Sequence, residues 1–474
     1  MIRIKLVGHA FQYEVFQIAS LFYDKSQIHF VTDGESDVVS IFDEDNKKVY
    51  CKMANGLHDE ISLKESDIKK IKNSIKMTLL RCFKRTTGQD VPWGILVGIR
   101  PTKIVHDCFK KDFKDTEIIE YLINEYDVNK DKAQLALEVA KNERKFLDQG
   151  TKNVSLYVGI PFCPTRCVYC SFTSNSLKGN ERLVEEYLDA LIREINFTLE
   201  YLAKNNFSID TLYIGGGTPT SLTAGQLERL FSTMKSHIQL DTLREFTVEA
   251  GRPDSIDEEK LRVIKGYGCT RISINPQSMN DETLLRIGRK HTAEDIIEKF
   301  EMARKIGFDN INMDIIIGLP EEGLKEIENT MNILKNLSPE SITIHTMAIK
   351  RASILNQHEY KNKNHMIDMM YENACSASRE IGMYPYYMYR QKNMVSPLEN
   401  VGYCKGGREC IYNIQMIAEN KSIISMGADA VTKLVFPEEN RIERSANVKD
   451  VREYIARIDE MIERKIMAID MLTK

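Results

Sequence analysis

Three cysteines within eight residues carry the clearest chemistry in this chain: Cys163, Cys167 and Cys170, in the run Gly159-Ile-Pro-Phe-Cys-Pro-Thr-Arg-Cys-Val-Tyr-Cys-Ser-Phe172. Thiolates this close together can enclose one metal centre. Structural zinc calls for four ligands, and no fourth Cys or His stands nearby, since Cys404 and Cys410 are remote in sequence. An iron–sulfur cluster held by three cysteines keeps one iron without a protein ligand, so that a small molecule can bind there and be reduced. The spacing alone argues for a three-thiolate centre with an open position, and zinc completed from elsewhere in the chain stays open as an alternative.

Further polar residues recur at regular intervals after the cysteines. Ile214-Gly-Gly-Gly-Thr-Pro-Thr220 offers glycines that let a backbone approach a ligand closely and amides that can bind a carboxylate. Glu249, Gln277 and Asp314 each sit in or just beyond an apolar run, where a carboxylate is costly to bury without a partner. Arg289, in Ile287-Gly-Arg-Lys-His291, is one possible partner, and its fork could equally hold a ligand carboxylate.

Positioning these residues requires a regular scaffold, and the pattern from Val154 onward supplies one. Apolar runs at 155–158, 212–214, 246–249, 271–274, 312–317 and 341–345 are each followed by a helix-like stretch, which predicts parallel strands joined by right-handed crossovers. Six such units are too few for a closed eight-unit barrel but enough for a partial one, whose strand C-termini form the ligand-binding end. Residues 1–150 read instead as an α+β module: a strand at Ile2–Leu6, a helix over 10–23 and a hairpin pairing 38–42 with 49–53. Next comes a Lys-rich helix over 64–85, apolar at Ile68, Ile71, Ile75 and Leu79, then a packed turn around Trp93 and helices near 116–126 and 130–147. Beyond about residue 383 the rhythm breaks into Gly- and Tyr-rich turns and a charged terminal helix over 448–469.

Composition sets the outer bounds. At 474 residues, with 42% hydrophobic and 28% charged residues, the chain has the make-up of a globular protein of two or three domains. A formal net charge of −4 lacks the basic excess of a dedicated nucleic-acid binder. No run approaches the 18 or so apolar residues of a membrane span, and the opening MIRIKLVGHA lacks a signal-peptide layout, so a cytoplasmic protein is expected. Ten cysteines are too sparse for a disulfide scaffold, which turns attention back to their clustering.

The cysteine spacing, with an aromatic residue before the last Cys, resembles the cluster loop of radical S-adenosylmethionine (SAM) enzymes. In that family the open iron of a [4Fe–4S] cluster chelates SAM, whose reductive cleavage gives a 5′-deoxyadenosyl radical that abstracts hydrogen. Together with GGGTPT, Glu249, RISINPQSM, GRKH and DIIIGLP, the order of motifs over 154–350 resembles the oxygen-independent coproporphyrinogen III oxidase group. The stretch from Tyr386 to Met394, Leu398–Tyr403 and the long N-terminal extension look most like its Z-type (HemZ) branch.

The implied fold is α/β: a partial (β/α)6 radical SAM barrel over 151–382, an N-terminal α+β domain over 1–150, and a mainly helical, substrate-covering C-terminal region over 383–474. The resemblance makes Cys163, Cys167 and Cys170 the cluster ligands, with Tyr157 among the catalytic residues. Tyr157 and Tyr169 would flank SAM, and Gly216, Gly217 and Thr218 would meet its methionine part. Glu249, Gln277, Arg289, Asp314 and the Ala348 backbone would contact its ribose, carboxylate or adenine. Two departures stand near the cluster. Gly159 lies where the best-known branch has His, and Phe172 replaces a further Cys; both weaken the transfer of that branch's substrate reaction and of a second SAM site.

The implied reaction is oxidative decarboxylation of two propionates of coproporphyrinogen III to vinyl groups, giving protoporphyrinogen IX, with a flavodoxin or ferredoxin as reductant. Arg351, Arg390, Lys392 and Arg408, interleaved with tyrosines, are the cations expected to meet the propionates. Rival readings are a haem-binding chaperone built on the same core, a radical enzyme acting on haem or another tetrapyrrole, and a zinc-stabilised interaction protein.

Overall fold

The computed structural model describes residues 1–65, 67–98, 100–147, 150–170, 175–177, 179–350, 353–355 and 364–473. The chain divides into two compact units, Met1–Ala140 and Lys141–Lys474.

The first unit is built on a five-stranded sheet of β1 (Ile2–Val7), β2 (Ile28–Val31), β3 (Val38–Asp43), β4 (Lys48–Met53) and β5 (His58–Ser62), in the order β2-β1-β3-β4-β5. Strand β1 runs parallel to β2 and β3, while β3, β4 and β5 form an antiparallel meander containing the expected hairpin. The Lys-rich helix spans Ile68–Thr87, its first turn capped by the Asp67 side chain, which accepts from the Lys70 amide. Ile71, Ile75 and Leu79 are buried, as the helical period requires, whereas Ile68 stays exposed beside Lys69 and Lys70. Trp93 is fully buried in its turn.

The second unit holds β6 (Asn153–Ile160), β7 (Phe162–Cys163), β8 (Asn175–Ser176), β9 (Ser208–Gly216), β10 (Glu245–Glu249), β11 (Arg271–Ser273), β12 (Ile311–Ile317) and β13 (Ser341–Thr346). Strands β6, β9, β10, β11, β12 and β13 lie side by side in sequence order, all parallel, with helices such as Glu181–Lys204, Ala224–Lys235 and Ala293–Ile306 in the crossovers. These are the six predicted units. Their near-continuous apolar runs reflect strands covered on both faces, and β6 buries six of its eight residues.

The C-terminal residues depart from the mainly helical make-up expected of them. Residues 383–474 contain the helices Ile411–Ala418, Val451–Ala456 and Ile458–Asp470, but also β14 (Tyr384–Tyr389), β15 (Asn400–Cys404), β16 (Ile423–Met426), β17 (Val431–Phe436) and β18 (Arg441–Ala446). The reason lies in the sheet edges. Exposed strand edges carry unpaired backbone groups, and here β15 pairs antiparallel with β13 while β16 pairs parallel with β6, so the sheet grows to eleven strands.

A buried polar network ties this C-terminal layer to the barrel. Glu194 and Lys465, 0% and 2% exposed at their side chains, form an ion pair of 2.8 Å. Glu194 also accepts from the amide of Gly427 (2.8 Å), Asn447 Nδ2 (2.8 Å) and the Tyr454 hydroxyl (2.5 Å). Removing one member of such a pair strands a charge in the interior, at a cost of about 3–5 kcal/mol. K465M is expected to lower the unfolding free energy by that amount in urea titrations, and E194Q/K465M to recover most of it, because no charge is then left unpaired.

Candidate active site at the strand C-termini

Beyond β6 the chain turns into the cysteine loop, where β7 pairs with β8 and the Asn175 amide donates to Pro161 O (2.8 Å). The loop is tied down further by Val168 N–H to Ile287 O (3.1 Å) and Leu355 N–H to Val168 O (2.9 Å). Cys163 and Cys167 are buried, Cys170 is half-buried, and all ten cysteines are reduced. Burial pushes the Cys163 thiol up; the Thr218 hydroxyl at 3.4 Å and Arg252 oppose this, while the neighbouring Cys170 and Cys167 add to it. Among the described residues no three His, Cys, Asp or Glu side chains are gathered tightly enough to hold a single metal ion.

The glycine turn after β9 packs directly on this loop. The Gly217 amide donates to Ile160 O and the Thr218 amide to Phe162 O, both at 2.8 Å. A Cβ on Gly217 would stand 2.6 Å from Phe162 O and 3.0 Å from Cys163 Sγ, so any side chain there would displace the cluster loop. Gly216, at φ +111°, occupies a conformation that favours glycine. Two of the amides expected to meet a ligand are therefore engaged in holding the cysteine segment.

Glu249, at the end of β10, accepts a hydrogen bond from the Tyr213 hydroxyl and is pushed up to about 7, chiefly by burial and with a contribution from Asp314. Tyr213 belongs to a stack with Tyr157 and Tyr412, whose ring centroids lie 4.5–6.3 Å apart. Tyr412 comes from the helix Ile411–Ala418, whose first amide donates to Glu245 Oε2 at 2.6 Å at the opposite end of β10. Gln277, at φ +67°, bridges to Ile315, and its Oε1 is buried without a partner. Arg289, 5% exposed, donates to Asn275 O (2.6 Å) and the Tyr169 hydroxyl (3.4 Å), and its Nε has no partner. Asp314 accepts from Asn312 Nδ2 (2.7 Å) and faces His345 Nε2 at 3.7 Å; although burial opposes it, these partners hold its carboxyl below the usual range. The half-buried Ala348 bridges to Met394.

The cations expected at the substrate are dispersed. Arg390 is 8% exposed and donates to Leu398 O (3.1 Å) and Pro397 O (3.3 Å), so burial and its own loop occupy it. Arg408 pairs with Asp309 at 3.1 Å just ahead of β12, at the barrel end opposite the cysteines, because β15 runs antiparallel to β13 and pairs Cys404 with Ser341. Lys392 is exposed. Arg351 and Phe172 lie outside the described residues. Sequence reasoning missed Arg252, which holds the cysteine loop, its partner Asp254, and the His345–Tyr389 contact of 3.3 Å beside Asp314. Arg252 stands three residues past Glu249, at a strand end like the residues that were picked out; His345 likewise falls within a predicted strand.

This arrangement fits a cluster and a polar, amino-acid-like ligand. Unpartnered buried polar atoms cost about 1–3 kcal/mol each, and Gln277 Oε1 and Arg289 Nε provide an acceptor and a donor that such a ligand would satisfy. Two guanidiniums, Arg252 and Arg289, act on the Cys167 sulfur, which suits a centre bearing negative charge.

Because Glu249 titrates near 7 in the fold against an ordinary 4.5, it disfavours the folded state only when ionised. Its contribution is at its best below pH 4.5, declines as pH rises towards 7 and is constant above that. E249Q is therefore expected to gain stability relative to the parent across pH 4.5–7, measured as the difference in urea midpoint at each pH.

The radical SAM superfamily signature matches residues 157–334. The chain is 41% identical over 411 residues to the oxygen-independent coproporphyrinogen-III oxidase-like protein HemZ of Bacillus subtilis, covering 85% of this chain and 82% of that protein. It is 31% identical to the heme chaperone HemW of the same organism, covering 65% of this chain and 76% of that one. Among solved structures, the coproporphyrinogen III oxidase HemN from Escherichia coli, a radical SAM enzyme, shares the fold at a TM-score of 0.54 and 22% identity, over 67% of this chain and 72% of that chain. No helix among the described residues is long and apolar enough to cross a membrane. A [4Fe–4S] cluster and S-adenosylmethionine are the cofactors that go with this membership. The chain belongs to the radical SAM superfamily and, within it, to the family of oxygen-independent coproporphyrinogen-III oxidase-like proteins.

Proposed function

We propose that this protein is a coproporphyrinogen III dehydrogenase that converts two propionates to vinyl groups, with Cys163, Cys167 and Cys170 holding the cluster. The observation that carries the reading is the packing of Gly217 and Thr218 against Cys163 at the barrel end where Gln277 and Arg289 keep unpartnered polar atoms. When bound, the two cofactors supply one-electron cleavage of a sulfonium and hydrogen abstraction from an unactivated carbon. Arg289 then binds a carboxylate, Gln277 Oε1 accepts a hydrogen bond, and Tyr157 and Tyr169 wall the site. Glu249, held by Tyr213, presents a carboxylate to hydroxyl groups. Within residues 383–474 the helix Ile411–Ala418 closes the opposite end of the barrel, so the substrate cover is confined to other parts of that region; a low-potential flavodoxin or ferredoxin delivers the electron, and the protein works in the cytoplasm.

One observation favours a second reading, a haem-binding chaperone on the same core. Arg390 is occupied by its own loop and Arg408 lies at the far end of the barrel, so the cations expected for four propionates are fewer at the site than the sequence suggested.

The deciding experiment is anaerobic: reconstitute the cluster, add SAM, reductant and coproporphyrinogen III, and follow 5′-deoxyadenosine and protoporphyrinogen by mass spectrometry. Both products rising together are expected. Tight haem binding with no deoxyadenosine in the presence of porphyrinogen would favour the chaperone. C163A is expected to lose both SAM cleavage and decarboxylation, and full cluster iron with undiminished activity in that variant would reject the assignment.

A further inference from the structure

We propose that Arg252 is a positioning residue for the iron–sulfur cluster: it clamps the cysteine loop and holds a positive charge against the Cys167 sulfur, raising the potential at which the cluster accepts an electron. The inference rests on the reading that Cys167 is a cluster ligand. Arg252 follows β10 closely, three residues beyond Glu249, and is 3% exposed. Its Nη1 donates to Thr165 O at 2.9 Å and to Cys167 Sγ at 3.5 Å. Its Nη2 donates to Thr165 Oγ1 at 2.8 Å and to Asp254 Oδ2 at 2.7 Å, while Nε donates to Asp254 Oδ1 at 2.9 Å. One planar fork therefore grips the loop between its first and second cysteines on one side and a carboxylate on the other.

A buried guanidinium is expensive, and Asp254 offsets that cost through a two-point pair. If the side chain served only to pack the loop, an uncharged residue would do so without the desolvation. What the charge adds is an electrostatic bias. Reduction makes a thiolate-bound cluster more negative, and N–H donors and cations beside its sulfurs stabilise that state more than the oxidised one. The low dielectric of a buried site enlarges the effect. His291, next to both Arg252 and Arg289, adds no third cation, since burial and those arginines push it down to about 4. Asp254 opposes Arg252 in sign, so the two residues bias the cluster in opposite directions. A lysine keeps the charge at position 252 but cannot reproduce the fork.

The test uses the full-length protein, reconstituted anaerobically as the parent, R252Q, R252K and D254N. Iron and sulfide are counted, and the EPR signal of the reduced cluster is titrated against potential with mediator dyes. R252Q is expected to shift the midpoint to more negative values, D254N to more positive ones, and R252K to fall between R252Q and the parent. Opposite signs for neighbouring substitutions are what a charge effect requires. A loop that is merely loosened would move both in the same direction and overturn the proposal, as would an unchanged midpoint in R252Q. If R252Q takes up no cluster, R252K and D254N carry the comparison, and a midpoint unmoved in both rejects the inference. A parent protein without a cluster, or a C167A variant that retains the parent's cluster intact, would instead reject the ligation reading on which the inference rests.

Discussion

A parallel sheet that stops at six strands leaves two edges and two ends open, and the rest of the second unit follows from closing three of these and leaving one free. The edges are closed by pairing, through β15 on β13 and β16 on β6. At the N-terminal end of the strands, the helix Ile411–Ala418 is fastened by buried polar contacts: Glu245 receives its first amides, and Gln415 reaches both Ser155 and Asp210. Lys421 and Arg244 complete the set at Asp210, at 3.0 and 2.7 Å. What remains open is the end where the strands finish, and there the cysteine loop, the glycine turn, Gln277 and Arg289 come together.

The interior of the barrel shows the same division. Tyr412, carried by the closing helix, stacks on Tyr213, and Tyr213 in turn hydrogen-bonds Glu249 at the open end. Aromatic rings fill the space with little loss of side-chain entropy, and their hydroxyl groups keep polar partners within an otherwise apolar volume. Glu249 is thereby held in place but poorly solvated, which is why its carboxyl titrates near neutrality.

The C-terminal layer does more than cover a sheet edge. Tyr187 donates to Gly159 O (2.6 Å) and accepts from the Ala428 amide (3.2 Å), joining the root of the cysteine loop to the turn after β16. That turn is also where the Gly427 amide meets Glu194 and its ion pair with Lys465. The position of the cluster loop is therefore coupled to residues near the end of the chain through buried hydrogen bonds, for which water cannot substitute without reopening the core.

The sequence by itself determined the six strands and their order, because parallel strands covered on both faces must be apolar throughout and helical crossovers must separate them. It also picked out the three cysteines and the glycine turn, since local spacing and the absence of a Cβ act within a few residues. Only the tertiary structure decided the rest. Residues 383–474 become strands as well as helices because the unpaired edges of β6 and β13 need partners, a demand that no local pattern records. Arg390 and Arg408 look equivalent as cations in a Tyr-rich stretch, yet one is buried against its own loop and the other is carried to the far end by the antiparallel run of β15. Arg252 reads in sequence as one charge among many, and its contact with Cys167 exists because the loop after β6 reaches past β9 to the end of β10, bringing residues 85 positions apart within hydrogen-bonding reach.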